Sequence, residues 1–157
     1  MKRRSLLIFC ILVLCGFLAP GVTAAWVYGD SCLYGTRGWY SVVDLEELQA
    51  GITGTLWAGP GKCDLSKGNS VGLVTIYLND LKDEISLEFR PDTFCEVTDW
   101  QLWIKDEPIP ATTGFSKWFK GEGEFFAINL DTPFTDEAGD GVYYSLHSEV
   151  ICGVPPP

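Results

Sequence analysis

"SVGLVTIYLN" (residues 70–79) and "DEISLEF" (residues 83–89) are two apolar stretches separated by a short polar turn, and they decide the fold. In the second stretch Ile85, Leu87 and Phe89 alternate with polar residues, so one face is apolar and the other is polar. The first stretch is rich in β-branched and aromatic residues, which is typical of a more buried strand. Both stretches therefore predict β-strands.

Similar patterns recur along the rest of the chain. Further strands are predicted in "GWYSVV", "GITGTLWA", "DWQLWIKD", "EFFAINL" and "GVYYSLHSEVICG" (residues 38–43, 51–58, 99–106, 124–130 and 141–153). Turn-forming residues separate the strands, and only "DLEELQ" (residues 44–49) predicts a helical turn, which Gly51 ends. Short strands with frequent turns indicate an all-β fold, an antiparallel β-sandwich of about seven to eight strands.

Residues 1–24 have the organisation of a secretory signal peptide. Three basic residues (residues 2–4) precede an uncharged apolar stretch (residues 6–19), and small residues follow at the cleavage positions. The apolar stretch is shorter than the roughly 20 residues that span a bilayer. We therefore predict cleavage after Ala24, one β-sandwich domain over residues 25–157, secretion to the extracellular space, and no membrane span in the mature protein.

The chain is strongly acidic. Its 11 Lys and Arg residues against 21 Asp and Glu residues give a net charge of −10, and loss of the signal with its three cations makes it −13. Such a surface repels nucleic acid and anionic membranes. We therefore expect no nucleic-acid partner, whereas cation binding and contact with basic partners remain open.

Four cysteines follow the signal: Cys32, Cys63, Cys95 and Cys152. In an oxidising compartment they predict two disulfides, with three possible pairings. No C-x2-C pair occurs among them, which argues against a zinc site. We favour Cys32 with Cys63 and Cys95 with Cys152, because each pair would join neighbouring segments, although the spacing leaves all three pairings open.

The sequence predicts no catalytic residue. A Walker A loop requires G-x-x-x-x-G-K-[ST] before a helix, but here Gly61-Lys62 is followed by Cys63, and Leu56 replaces the first glycine. The only histidine, His147, has no G-x-S-x-G elbow and is predicted to be a hydrogen-bonded strand residue. Paired carboxylates of a glycoside hydrolase remain an alternative, since acidic residues are abundant and their spacing in space is not given by the sequence.

The loop "DTPFTDEAGDG" (residues 131–141) is the one candidate metal site. Asp136, Glu137 and Asp140 supply the oxygen ligands that Ca²⁺ prefers, and Gly141 permits a tight turn. We favour a solvated acidic loop without a metal, because six or more oxygens are needed and only three or four can be named, and we keep Ca²⁺ binding as the alternative. No other cofactor is predicted.

Aromatic residues provide the candidate ligand-binding site. Most of the six tryptophans are predicted to fill the core. The exceptions are Trp103, on the polar side of its strand, and Trp118 and Phe119, in a polar segment (residues 116–126). Exposed beside carboxylates, these three side chains could stack on sugar rings or mark a protein contact patch. The other interpretation, which tryptophans favour in general, is that they too are buried in the core.

Residues 55–80, "TLWAGPGKCDLSKGNSVGLVTIYLND", resemble a pattern of secreted and cell-surface β domains of bacteria and archaea. In those domains T-L-x-A-G precedes a polar loop and V-G-x-V-T-V-x-N-D. "GWYSVV", "DWQLWI" and "GDGVYYSLHSEVIC" are similar to flanking strands of the same domains, the last to a Y-I-A-A-H-A-V-V segment. The chain departs from the pattern at Leu73 and Leu78, and at Ser145 and Ser148, which replace alanines.

The resemblance implies an extracytoplasmic β domain of a surface or adhesion-type protein, and it implies no catalytic residues. We therefore predict a secreted or cell-surface, non-enzymatic β-sandwich module with a binding or structural role. Its expected partner is a cell-envelope glycan or a co-secreted protein. The alternatives are a carbohydrate-active hydrolase that uses acidic residues, and a component of a Ca²⁺-dependent adhesin.

Overall fold

The computed structural model describes residues 21–33, 38–59, 63–110, 117–137 and 139–153. Within these ranges the chain forms ten strands and one α-helix. The strands are β1 (Val22–Val27), β2 (Ser31–Cys32), β3 (Trp39–Val43), β4 (Ile52–Ala58), β5 (Asn69–Leu78), β6 (Glu84–Pro91), β7 (Cys95–Lys105), β8 (Phe119–Glu122), β9 (Phe125–Asn129) and β10 (Val142–Cys152). The helix α1 (Leu45–Ala50) follows β3, and a 3₁₀ turn (Leu65–Lys67) precedes β5.

Every ladder between these strands is antiparallel. The hydrogen-bonded order is β2-β3-β10-β1-β4-β5-β6-β9, with β7 on the other edge of β10 and β8 beside β7. Strand β10 therefore has three partners. It pairs with β7 along its length, and its second edge is shared by β3 (residues 142–144) and β1 (residues 147–151).

The predicted β-sandwich is confirmed. All seven predicted strands are present, and β1, β2 and β8 are additional. The inward residues of β5 and β6, such as Ile76 and Leu87, share one core with those of β7 and β10, such as Leu102 and Leu146. The rings of Trp100 and Phe126 meet across this core at 5.0 Å between centroids. Apolar side chains that alternate along each strand thus fill the space between two layers.

The chain crosses between the layers at one edge. Strands β8 and β9 are joined only by Gly123 and Glu124, yet β8 pairs with β7 and β9 pairs with β6. Among the described residues no ladder joins β8 to β9, so the sheet is not closed there.

The predicted helical turn is also confirmed. The backbone N–H of Asp44 donates to the Glu47 carboxylate at 3.2 Å, which caps the start of α1. Gly51 ends the helix with a φ of 91°, in the left-handed region that glycine tolerates. Leu48 is fully buried and fixes α1 to the core.

Two disulfides stabilise the fold, in the pairing that we favoured. Cys32 in β2 is bonded to Cys63, before the 3₁₀ turn. Cys95 and Cys152 lie directly opposite each other at the ends of β7 and β10, with 3.9 Å between their Cα atoms. Within the described ranges, no helix has the length and apolar character needed to cross a membrane.

Candidate functional site

The predicted exposure of Trp103 and Trp118 is wrong. Trp103 is 1% exposed and Trp118 is 6% exposed. Both belong to a second apolar cluster, which we call the tryptophan layer and which consists of Trp26, Leu33, Trp39, Trp103 and Trp118.

The tryptophan layer covers the face of β7 and β10 that points away from the main core. Trp118 meets Trp103 at 6.1 Å and Trp26 at 6.4 Å between ring centroids, both edge to face. The polar neighbours of Trp103 in sequence suggested a solvated face. Segments distant in sequence bury that face instead, so β7 is covered on both sides.

Phe119, the third predicted ligand contact, is half-buried and packs against the main core. It lines an open cleft of about 520 Å³, where β8 and β9 diverge. Leu130 and Phe134 line the same cleft, with Lys105 and Asp106 among its polar groups. The structure therefore separates Phe119 from the buried tryptophans, and the three residues do not form one stacking surface.

His147 lies beside the tryptophan layer. It faces Trp26 on β1 and Gln101 on β7, and it is 9% exposed. Burial lowers the pKa of His147, and the charge of Asp99 opposes that shift. The hydroxyl of Ser145 donates to the backbone oxygen of Trp39 at 2.7 Å, so it serves to hold β3 against β10.

In the acidic loop (residues 131–141), the carboxylate of Asp136 stabilises the loop itself. Asp136 accepts hydrogen bonds from the backbone N–H groups of Gly139 at 2.9 Å and Gly141 at 3.2 Å. Glu137 and Asp140 are exposed. In the part of the chain that the structure describes, no group of three or more His, Cys, Asp or Glu residues is placed to hold a metal ion. Ca²⁺ binding here stays a prediction.

A surface that the sequence did not predict lies over β4, β5, β6 and β9. We call it the outer face, and its side chains line an open groove of about 490 Å³. The side chains are Thr53, Thr75, Tyr77, Ser86, Glu88, Arg90 and Phe125. Alternation places them here, because their neighbours along each strand point into the core.

Strand register arranges the outer face in rows. Thr53, Thr75, Glu88 and Phe125 are successive partners across the four strands. The hydroxyl oxygens of Thr53 and Thr75 are 2.9 Å apart and share a hydrogen bond. The row therefore presents hydroxyl, carboxylate and aromatic groups side by side.

Glu88 in this row forms an ion pair with Arg90, which lies two residues further along β6. The Arg90 guanidinium donates to the Glu88 carboxylate, with 3.0 Å between Nε and Oε1. This hydrogen bond raises the pKa of Arg90. Both side chains remain largely exposed, so they can also hydrogen-bond a ligand.

Two aromatic rings stand among these polar groups, Phe125 at the end of the row and Tyr77 beside it. Phe125 is 69% exposed and Tyr77 is 37% exposed, although both lie on regular strands. An exposed ring can pack against the C–H face of a sugar, while hydroxyl and charged groups beside it bond the sugar hydroxyls. The outer face thus combines the groups that a flat, hydroxyl-rich ligand needs.

No protein-family model, curated protein or solved structure matches this chain. What the structure defines is an all-antiparallel β-sandwich with two disulfides. The resemblance to surface β domains stays a prediction.

Proposed function

We propose that the protein is an extracellular, non-enzymatic module that binds a glycan on the outer face. The observation that carries the proposal is the pair of exposed rings, Tyr77 and Phe125, beside the row of polar side chains. A strand normally places its aromatic residues in the core, and exposed aromatic groups among polar ones are typical of binding surfaces.

The polar groups favour a glycan over other ligands. Threonine and serine hydroxyls and the Glu88–Arg90 pair supply both donors and acceptors for sugar hydroxyls. The chain's negative charge disfavours nucleic acid. Two disulfides support an oxidising, extracellular location.

Glu88 supports binding without hydrolysis. It is the only carboxylate among the groove residues, and it is paired with Arg90. Glycoside hydrolases commonly use two carboxyl groups roughly 5–10 Å apart, one of them protonated. The next carboxylate on the same face of β6, that of Glu84, does not line the groove and accepts a hydrogen bond from Ser86 at 3.5 Å. This arrangement supports binding better than hydrolysis.

The test is retention of the oxidised protein on a panel of insoluble polysaccharides. We expect Phe125→Ala and Tyr77→Ala each to weaken retention about tenfold, equivalent to about 1.4 kcal/mol. The matched control is Phe94→Ala, because Phe94 is 58% exposed but lies outside the groove. Equal retention of Phe125→Ala and Phe94→Ala, or retention on no polysaccharide, contradicts the proposal, and release of soluble sugar would favour the hydrolase.

A further inference from the structure

Among the strands that the structure describes, β9 is an edge without the usual protections, and its last residue, Asn129, borders the cleft that Phe119 lines. The described strand paths end at β2, β8 and β9. Strand β2 has two residues and a disulfide, and β8 carries the charges of Lys120 and Glu122. Short length and charge are the usual protections of an edge against pairing with another chain. Strand β9, "FFAIN", has five residues, with no charge, proline or register shift.

Hydrogen bonds to β6 show which groups of β9 face outward. The N–H of Leu130 donates to the oxygen of Asp83, and the N–H of Phe89 donates to the oxygen of Glu124. In an antiparallel ladder, residues alternate between bonding one neighbouring strand and facing the other. Residues 124, 126, 128 and 130 therefore bond β6.

The alternate residues, Phe125, Ala127 and Asn129, direct their backbone groups to the free edge. They present three N–H and three C=O groups there, and no described strand pairs with them. The Phe125 and Asn129 side chains lie on the exposed side of the strand. This edge offers the alternating donors and acceptors with which an extended strand can pair.

We propose that β9 pairs antiparallel with β9 of a second copy of this chain, about a two-fold axis at Ala127. In that register Ala127 lies opposite Ala127 of the second copy, and Phe125 lies opposite Asn129. All six outward backbone groups of each strand then find partners. The edge is self-complementary, as a two-fold interface requires.

Charge is compatible with this pairing. The chain carries a large negative charge, so an interface between copies must avoid carboxylates that face each other. Strand β9 has no carboxylate, and Glu124 would lie opposite Leu130 of the second copy. An edge strand without charged residues is thus one that a second copy can approach.

Pairing would also join the two outer faces. A two-fold axis perpendicular to the sheet keeps both Phe125 rings on the same side, so the two grooves would form one continuous surface. The dimer rests on the backbone of β9 and does not depend on glycan binding.

The first test compares Ala127→Pro with Ala127→Ser by sedimentation equilibrium of the oxidised protein over a range of concentrations. Proline removes the outward N–H of residue 127 without removing a bond to β6, whereas serine keeps that N–H. We expect the unmodified protein and Ala127→Ser to dimerise, and Ala127→Pro to remain monomeric. A monomeric unmodified protein at millimolar concentration, or a dimer of Ala127→Pro, overturns the proposal.

A charge exchange tests the register and covers the case in which the proline variant fails to fold. Ala127→Lys places two lysines opposite each other across the axis, and Ala127→Glu places two glutamates there. We expect each variant alone to dimerise at least about fivefold more weakly than the unmodified protein, and their mixture to recover dimerisation. No recovery in the mixture overturns the proposed register. Monomeric variants should keep single-site glycan retention, so the failure of either proposal can be recognised separately.

Discussion

The indole ring of Trp26 lies 4.7 Å from the imidazole ring of His147, centroid to centroid, with 59° between the ring planes. Strands β1 and β10 place the two residues directly opposite each other. The site is buried, so a protonated imidazole would lose more hydration there than a neutral one. Burial accordingly lowers the pKa of His147, despite the opposing charge of Asp99.

The burial of His147 predicts that the protein loses stability in mild acid. The unfolded chain binds a proton at His147 near the ordinary pKa of 6.5, whereas the folded chain binds it only at lower pH. Between these two values the unfolded state holds more protons, so the free energy of unfolding falls as the pH decreases below about 6.5. Denaturant unfolding between pH 7 and pH 5 measures the effect. In His147→Gln the free energy of unfolding should depend less on pH in this range. The same pH dependence in the variant and in the unmodified protein would contradict the role of His147.

Trp103 and Phe125 should give opposite results when truncated. Trp103→Ala removes a buried ring from the tryptophan layer, so we expect a loss of about 3–5 kcal/mol in unfolding free energy. Phe125→Ala removes an exposed ring and should change stability by no more than about 0.5 kcal/mol, while it weakens glycan retention. Urea unfolding of both variants measures the two changes in unfolding free energy. A small loss of unfolding free energy in Trp103→Ala would instead indicate that Trp103 is exposed and available to stack on a ligand.

We expect the two disulfides to contribute similar amounts to the free energy of unfolding. Their removal should differ in its effect on the circular dichroism of the tryptophans. Their sequence separations are 31 and 57 residues, so the chain-entropy estimate assigns each about 4 kcal/mol. Cys63 packs against the tryptophan layer, whereas Cys95 packs against the main core.

We therefore expect Cys32→Ser/Cys63→Ser to weaken the near-ultraviolet circular dichroism of the tryptophans, in addition to lowering the urea midpoint. Cys95→Ser/Cys152→Ser should lower the midpoint and alter this signal less. Identical spectra of the two double variants would show that the first disulfide does not order the tryptophan layer.

Asp136 should stabilise its loop without a metal ion. Its carboxylate accepts two backbone hydrogen bonds, so Asp136→Ala should cost about 1 kcal/mol even in the presence of a chelator. Asp140→Ala, at an exposed neighbour, is the control and should cost less. Urea midpoints with chelator and with Ca²⁺ separate the alternatives. A loss that appears only with Ca²⁺, and that Asp140→Asn also produces, would instead establish a calcium site.

The strands were predictable because their signal is local. Alternation of Ile85, Leu87 and Phe89 reports a half-buried strand wherever that strand lies in the fold. The helical turn at residues 45–50 was equally local, since Asp44 and Gly51 mark its two ends. The favoured disulfide pairing was correct, but the spacing of the four cysteines left all three pairings open.

The tryptophan layer was not predictable in this way. The polar neighbours of Trp103 describe its own strand, but its burial depends on Trp26, Leu33 and Trp39, which lie more than sixty residues earlier. The outer face was not predicted for a related reason. The sequence assigned Glu88 to the polar side of β6, but strand order and register decide that Thr75 and Phe125 lie beside it.

Strand β10 has a consequence for the timing of folding. Strands β1, β3 and β7 all bond to residues 142–152, the last strand of the described chain. None of the three can complete its ladder until that strand has left the ribosome. During synthesis β1, β3 and β7 must therefore wait with incomplete ladders, although β1 can already pair with β4. Until β10 is added, the sheet lacks its most connected strand, and such an incomplete fold resists threading through a narrow pore less than the finished one does.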